Sequence, residues 1–204
     1  MDVLQDLAVS AKAIEKLRLF QALVEKWSPR INLVARSTVA EIWQRHIVDS
    51  AILCQVEVPT PRKWVDLGAG GGFPGLVIAV IQQDRGAATK VVLVESDLRK
   101  ATFLREAARQ MAVPVEVLSE RAESLAPLGA DVVSARALAP LPALCALAHR
   151  HLAPGGVCLF PKGERFAAEV EEARKSWSFD LETRENPGHK GAALLVLRNL
   201  NRAD

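Results

Sequence analysis

The residues with the clearest chemical potential are Trp64-Val65-Asp66-Leu67-Gly68-Ala69-Gly70-Gly71-Gly72-Phe73-Pro74-Gly75. An apolar run ends in an acid and a glycine cluster, and a second apolar run follows, the order in which a strand presents a ligand to the start of a helix. Glycines there allow a tight turn and leave no Cβ to block a ligand approaching the backbone. Two ligand patterns overlap. Gly70, Gly72 and Gly75 fit the dinucleotide pattern GxGxxG, whereas Asp66, Gly68, Gly70 and Gly72 fit the acid-plus-GxGxG pattern of S-adenosylmethionine sites. A carboxylate at Asp66 would crowd a pyrophosphate but suits the cationic aminoacyl-sulfonium end of S-adenosylmethionine. Pro74 removes one N–H that an anion could have used. Glu95 lies 25 residues after Gly70, where an acid can accept both hydroxyls of a ribose, in NAD and S-adenosylmethionine alike.

Positioning such a loop requires strands and helices in alternation, and the chain supplies them. Lys63–Leu67, Lys90–Glu95, Val115–Leu118, Asp131–Ser134 and Gly156–Phe160 read as short buried strands. Helical stretches at Leu76–Gln82, Asp97–Met111, Leu141–His151 and Phe166–Ser176 fall between or after them. Ser178–Thr183 and Ala192–Arg198 are two further strand-like runs with no helix between, expected to form an antiparallel hairpin at one edge of the sheet. Upstream, Ile14, Leu17, Phe20, Val24 and Trp27 mark an amphipathic helix over Ser10–Trp27, with Ser10 as N-cap and Pro29 helping to end it. A second helix is expected over Thr38–Cys54, and Glu57–Pro61 reads as a linker. The expected organisation is an N-terminal helical cap, residues 1–58, on an α/β domain, residues 59–204.

Composition narrows the class. The 204 residues are half apolar and a quarter charged, with a net charge of +2, which fits a globular protein of one domain and an appendage. No uncharged stretch is long enough to span a bilayer, and Asp2 and Asp6 interrupt the N-terminal apolar residues where a secretory signal would not. Cys54, Cys145 and Cys158 are too scattered for a disulfide framework or a metal site, so no metal or membrane is expected and the compartment is read as reducing cytoplasm. The near-neutral charge gives no sign of nucleic acid.

Several segments together resemble the glucose-inhibited division protein B (RsmG) family of small-subunit rRNA guanine-N7 methyltransferases. They are Asn32-Leu33; Arg45-His46-Ile47-Val48-Asp49-Ser50; Asp66 to Gly75 with its Phe73-Pro74-Gly75 ending; Arg99-Lys100 with Phe103-Leu104; Arg121-Ala122-Glu123; Ser134-Ala135-Arg136-Ala137; and Pro161-Lys162-Gly163. The resemblance runs from about Arg30 to Lys162. It implies a Rossmann-like class I methyltransferase fold, with a mostly parallel seven-stranded sheet, an antiparallel C-terminal strand and the helical cap. It further implies S-adenosylmethionine as cofactor and small-subunit ribosomal RNA, or an assembly intermediate containing it, as partner. By the same resemblance Gly68, Phe73, Ala122, Glu123 and Arg136 would contact the cofactor, Arg136 where cofactor and base meet. Asn32, His46, Asp49 and Lys162 match family motifs and are candidates for the substrate side.

The chemistry is compatible with that reading. Guanine N7 carries an exposed lone pair, so its methylation needs alignment and exclusion of water but no general base. Accordingly no catalytic residue is assigned. Amino-directed methyltransferases carry Asn/Asp-Pro-Pro-Tyr/Phe after the fourth strand, where this chain has Ser134-Ala135-Arg136-Ala137 and contains no Tyr. Cys145 and Cys158 read as core thiols rather than nucleophiles. Other residues have plain structural readings: His46 and Asp49 as a pair on one helical face, Asn32 equally as a cap or an RNA contact, and Trp27, Trp43 and Trp64 as packing between cap and sheet. Lys162 could be solvated at a strand end, and Arg99, Lys100, Arg105 and Arg109 read as a solvated helix face. A small-molecule methyltransferase and a non-catalytic S-adenosylmethionine-binding assembly protein are the alternatives.

Overall fold

The computed structural model describes residues 3–185 and 191–203. Helix α1 (Val3–Asp6) precedes α2 (Ala11–Ile31), whose first turn is capped by the Ser10 hydroxyl accepting the Ala13 N–H at 3.2 Å. Pro29 does not end α2 but sits inside it. Its ring leaves the Glu25 carbonyl without a helical donor, a loss that water can make good because Glu25 and Pro29 are both exposed. The stop comes at Asn32, in the left-handed region with φ 50°, whose N–H reaches the Ser28 carbonyl.

The expected second helix is broken into four pieces: a 3₁₀ segment over Arg36–Glu41, a π segment over Trp43–Val48, α3 (Asp49–Ala51) and a 3₁₀ segment over Ile52–Gln55. A π turn holds one residue more than an α turn and so re-aims the side chains on it, here including His46.

The remaining elements follow the alternation: β1 (Lys63–Leu67), α4 (Gly75–Asp84), β2 (Lys90–Val94), α5 (Leu98–Met111), β3 (Glu116–Leu118), β4 (Ala130–Ala135), α6 (Leu141–His151), β5 (Leu152–Lys162), α7 (Phe166–Arg174), β6 (Trp177–Glu185) and β7 (Ala193–Arg202). They form one seven-stranded sheet in the order β3-β2-β1-β4-β5-β7-β6. The first five strands are parallel, and β7 pairs antiparallel with both β5 and β6, as expected for a terminal hairpin; residues 186–190 between β6 and β7 lie outside the described residues. β5 starts earlier than its apolar core suggests. Leu152 pairs with Ala130 and Val157 with Val132, so β5 bulges over Ala153–Gly156.

Each face of the sheet has its own core. On one face Leu17, Phe20, Ile42, Ile47 and Leu53 of the N-terminal segment form a single apolar cluster with Leu76 of α4, Leu93 of β2 and Phe103 of α5. On the other, α6 and α7 cover Val65, Val133, Cys158, Phe160 and Leu195. Trp27 packs on Phe103 at 6.0 Å and Trp64 is buried, while Trp43 is stacked by Arg18 at 3.5 Å. All three cysteines are free and buried, and burial pushes the Cys54 and Cys145 thiols up to about 12, which makes them inert packing groups.

Candidate active-site cleft

Strand order reverses between β1 and β4, so the crevice beyond their C-terminal ends is the natural ligand site of this sheet. A cleft of about 620 Å³ opens there, between the glycine loop, the ends of β2 and β4 and the N-terminal cap. Gly68 and Gly70, both in the cleft wall, take φ of 65° and 52°, the region glycine enters without strain. At Gly75 the requirement is closeness: a Cβ would lie 2.3 Å from Leu93 and 2.7 Å from the Asp66 carboxylate.

The N–H groups of this loop are mostly taken by the protein itself. Ala69 donates to the Val94 carbonyl, Gly72 to Ala69, and Leu76 to Gly72. Gly70 donates to Glu95 at 2.8 Å and Gly75 to Asp66 at 2.9 Å. A loop and helix start most of whose donors are bound to carboxylates and backbone carbonyls offers little to a pyrophosphate. Asp66 itself is fully buried, accepts a second bond from Ser134 at 2.7 Å, and does not line the cleft. Its expected contact with a cationic ligand is therefore replaced by a structural role, fixing the loop to β4. Burial raises its carboxyl to about 7, against the opposing pull of its two hydrogen bonds. Glu95 does line the cleft, and with Gly70 and Asp97 N–H groups bound it keeps lone pairs for further donors.

Across from the loop, Arg136 follows β4. Its Nη2 donates to the Arg45 carbonyl at 3.1 Å and to Nδ1 of His46 at 2.7 Å, and burial lowers its pKa. The His46 ring also lies against Phe73, 5.0 Å between centroids, and Phe73 against Phe20 at 4.9 Å. Ala122 and Glu123 complete the wall, Ala122 held through its carbonyl by Nε2 of buried His151 at 2.9 Å.

The family model described as GidB, rRNA small subunit methyltransferase G, matches residues 13–195. This chain belongs to that family. It is 52% identical over 198 residues to the ribosomal RNA small subunit methyltransferase G of Cereibacter sphaeroides, covering 97% of this chain and 96% of the relative. The Ruegeria pomeroyi protein of the same name is 44% identical, over 96% of each chain. Among solved structures, a SAM-dependent methyltransferase from Aquifex aeolicus aligns with a TM-score of 0.58 at 12% identity, over 78% of this chain and 92% of that one. A methyltransferase from Geobacter sulfurreducens gives 0.55 at 15% identity, over 89% and 88%. These last two are similar in fold.

Of the expected site residues, the structure gathers Gly68, Gly70, Phe73, Glu95, Ala122, Glu123, His46 and Arg136 around one cleft. The Arg45–Ser50 and Ser134–Ala137 segments, about ninety residues apart, meet there through the His46–Arg136 bond. Asp49 is buried nearby, and its charge acts on Arg136. Asn32 and Lys162 are elsewhere. Asn32 is an exposed helix cap, and Lys162 donates to the Ala139 carbonyl at 3.0 Å and to Glu169 at 2.6 Å. Along α5, Arg99 pairs with Asp97, Arg109 with Glu106, and Arg105 holds Val117 and Ser119, while Lys100 reaches the cleft wall. Thr38, 2.9 Å from Nε2 of His46, and His151 are contributors that the sequence did not single out. His151 acts through Ala122, 29 residues away, and Thr38 was marked only by its place at the start of an expected helix.

Proposed function

We propose that the protein methylates N7 of a guanine in small-subunit ribosomal RNA, with S-adenosylmethionine as methyl donor and cytoplasmic rRNA or a small-subunit assembly intermediate as partner. The observation that carries the cofactor is the glycine loop: most of its donors are held by Asp66, Glu95 and backbone carbonyls, which disfavours a phosphate and suits a phosphate-free nucleoside. Bound S-adenosylmethionine supplies an electrophilic methyl group on a cationic sulfur. Gly68 and Gly70 would allow it to approach the backbone, Glu95 would accept from its ribose hydroxyls, and Ala122 and Glu123 would flank its adenine, all of them lining the cleft. Phe73, buried in the cleft wall, would help to exclude water there.

The guanine N7 lone pair is available without deprotonation, so the residues need only orient the base and tolerate its new positive charge. Arg136, a donor with no acceptor capacity, is suited to the guanine O6 or an adjoining phosphate. Labelled S-adenosylmethionine incubated with small subunits and with protein-free small-subunit rRNA tests this. Label is expected at one guanine, and no transfer to RNA in either form overturns the reading. One feature favours a small metabolite instead: Lys100, Arg121 and Arg136 in the cleft are matched by Glu95, Glu120 and Glu123. RNA that fails to compete with a methylated metabolite in the same assay would establish that second reading.

A further inference from the structure

Arg136, His46, Thr38 and Ala35 form a hydrogen-bonded chain in which every donor is fixed by chemistry. A guanidinium can only donate, so the 2.7 Å contact makes Nδ1 of His46 the acceptor. The ring's proton then resides on Nε2, which lies 2.9 Å from the Thr38 hydroxyl. Thr38 in turn donates to the Ala35 carbonyl at 2.9 Å. Ala35, Thr38, His46 and Arg136 all line the cleft, so the chain joins its cap side to its β4 side. The Phe73 ring packs against the imidazole, 5.0 Å between centroids and tilted by 33°.

We propose that His46 is a positioning residue for the methyl transfer: as a neutral imidazole protonated on Nε2, it holds the Arg136 guanidinium in the cleft wall and ties it to the cap. Resting on the methyltransferase reading above, this goes beyond it in assigning a role to a residue that need touch neither cofactor nor base. An imidazolium would turn an N–H toward the guanidinium and break the chain, so transfer fails in acid. The charged groups around the pair are Arg45 of the π segment, Asp49 of α3, Asp66 of β1 and Glu95 across the cleft. Asp66, which titrates near 7, is the competing source of any acid limb.

Two substitutions divide the chain. Asn at position 46 places an amide oxygen near the Nδ1 site and keeps the acceptor for Arg136. Gln places its amide nitrogen near the Nε2 site and keeps only the donor to Thr38. His46→Asn is expected to lower kcat about 3-fold and His46→Gln about 30-fold, with the dissociation constant for S-adenosylmethionine moving less than about 3-fold in both. Wild-type kcat is expected to fall with falling pH, and His46→Asn to lack that limb. Equal losses in the two variants, or an acid limb retained in His46→Asn, would overturn the proposal. Nitrogen-15 imidazole spectra of the free wild-type protein supply a readout independent of turnover: bare Nδ1 and protonated Nε2 are expected, and the opposite tautomer or an imidazolium near neutral pH refutes it. Wild-type protein that shows the expected tautomer yet methylates no RNA would refute the proposed function and, with it, the role in transfer, while leaving the clamp itself in place.

Discussion

At Asp66 burial outweighs hydrogen bonding, and the consequence is measurable. The carboxyl has no exposed surface, and its pKa rises from 3.8 to about 7 although Ser134 and Gly75 both donate to it. In the unfolded chain it ionises at about pH 4, so between about pH 4 and pH 7 the folded protein binds the extra proton. Stability from this group is therefore present in acid and is lost as pH rises through the folded pKa, becoming flat above it. Asp66→Asn removes the titration. Denaturant unfolding of both proteins from about pH 4.5 to about pH 8 should show the difference in unfolding free energy moving toward the variant by about 2–4 kcal/mol as pH rises. A difference independent of pH would mean that Asp66 stays ionised in the fold. The acid's place before the glycines was legible in the sequence, but its direction was not. Whether a carboxylate faces the ligand or the helix behind it depends on Gly75 and Ser134, whose bonds to it span 9 and 68 residues.

Among the elements, the join between β4 and α6 determines where Arg136 sits. Ala137 takes φ 53°, a conformation with a steric cost, and the segment is held from below by Lys162 at the end of β5. Glu169 of α7 pairs with Lys162 and accepts the Leu141 N–H at 2.7 Å, supplying the first turn of α6 with a partner its own sequence lacks. Lys162→Met should therefore lower stability by about 1–2 kcal/mol and weaken S-adenosylmethionine binding severalfold. The same variant should leave the salt dependence of RNA binding unchanged, whereas loss of a phosphate contact would flatten the log–log slope by nearly one unit. Calorimetry and filter binding across salt concentrations separate the two. Strand runs such as Lys90–Val94 and the span of α6 could be read directly, since apolar content and helical spacing are local signals. Lys162 and the π turn at Trp43–Val48 could not, because each depends on what packs against it.

For the molecule as a whole, the question is whether residues 1–58 are a cap on a finished domain or part of its core. Helix α4 answers in its composition: Gly75 through Ile81 are all apolar and buried, so up to its polar end, Gln82–Asp84, the helix is apolar on every side. One side faces the sheet, and the other meets α2 and α3, while Phe73 just before it is covered by Phe20 and His46. A helix of that kind has no face to give to water, and the cleft loses a wall if the covering segment is removed. The linker at Glu57–Pro61 was visible because prolines and exposed polar residues mark it locally. The packing across it was not, since amphipathic spacing in α2 says which face is apolar but not what it covers. Residues 59–204 produced alone are expected to show no cooperative thermal transition, to bind a hydrophobic dye, and to give no heat of binding with S-adenosylmethionine, even though they contain the entire glycine loop and Glu95. Adding residues 1–58 as a separate peptide should restore part of the binding if the lost apolar contacts are the cause. A cooperative transition and cofactor binding in the shorter chain by itself would show instead that the sheet forms its core without the N-terminal helices, and that these serve the substrate side alone.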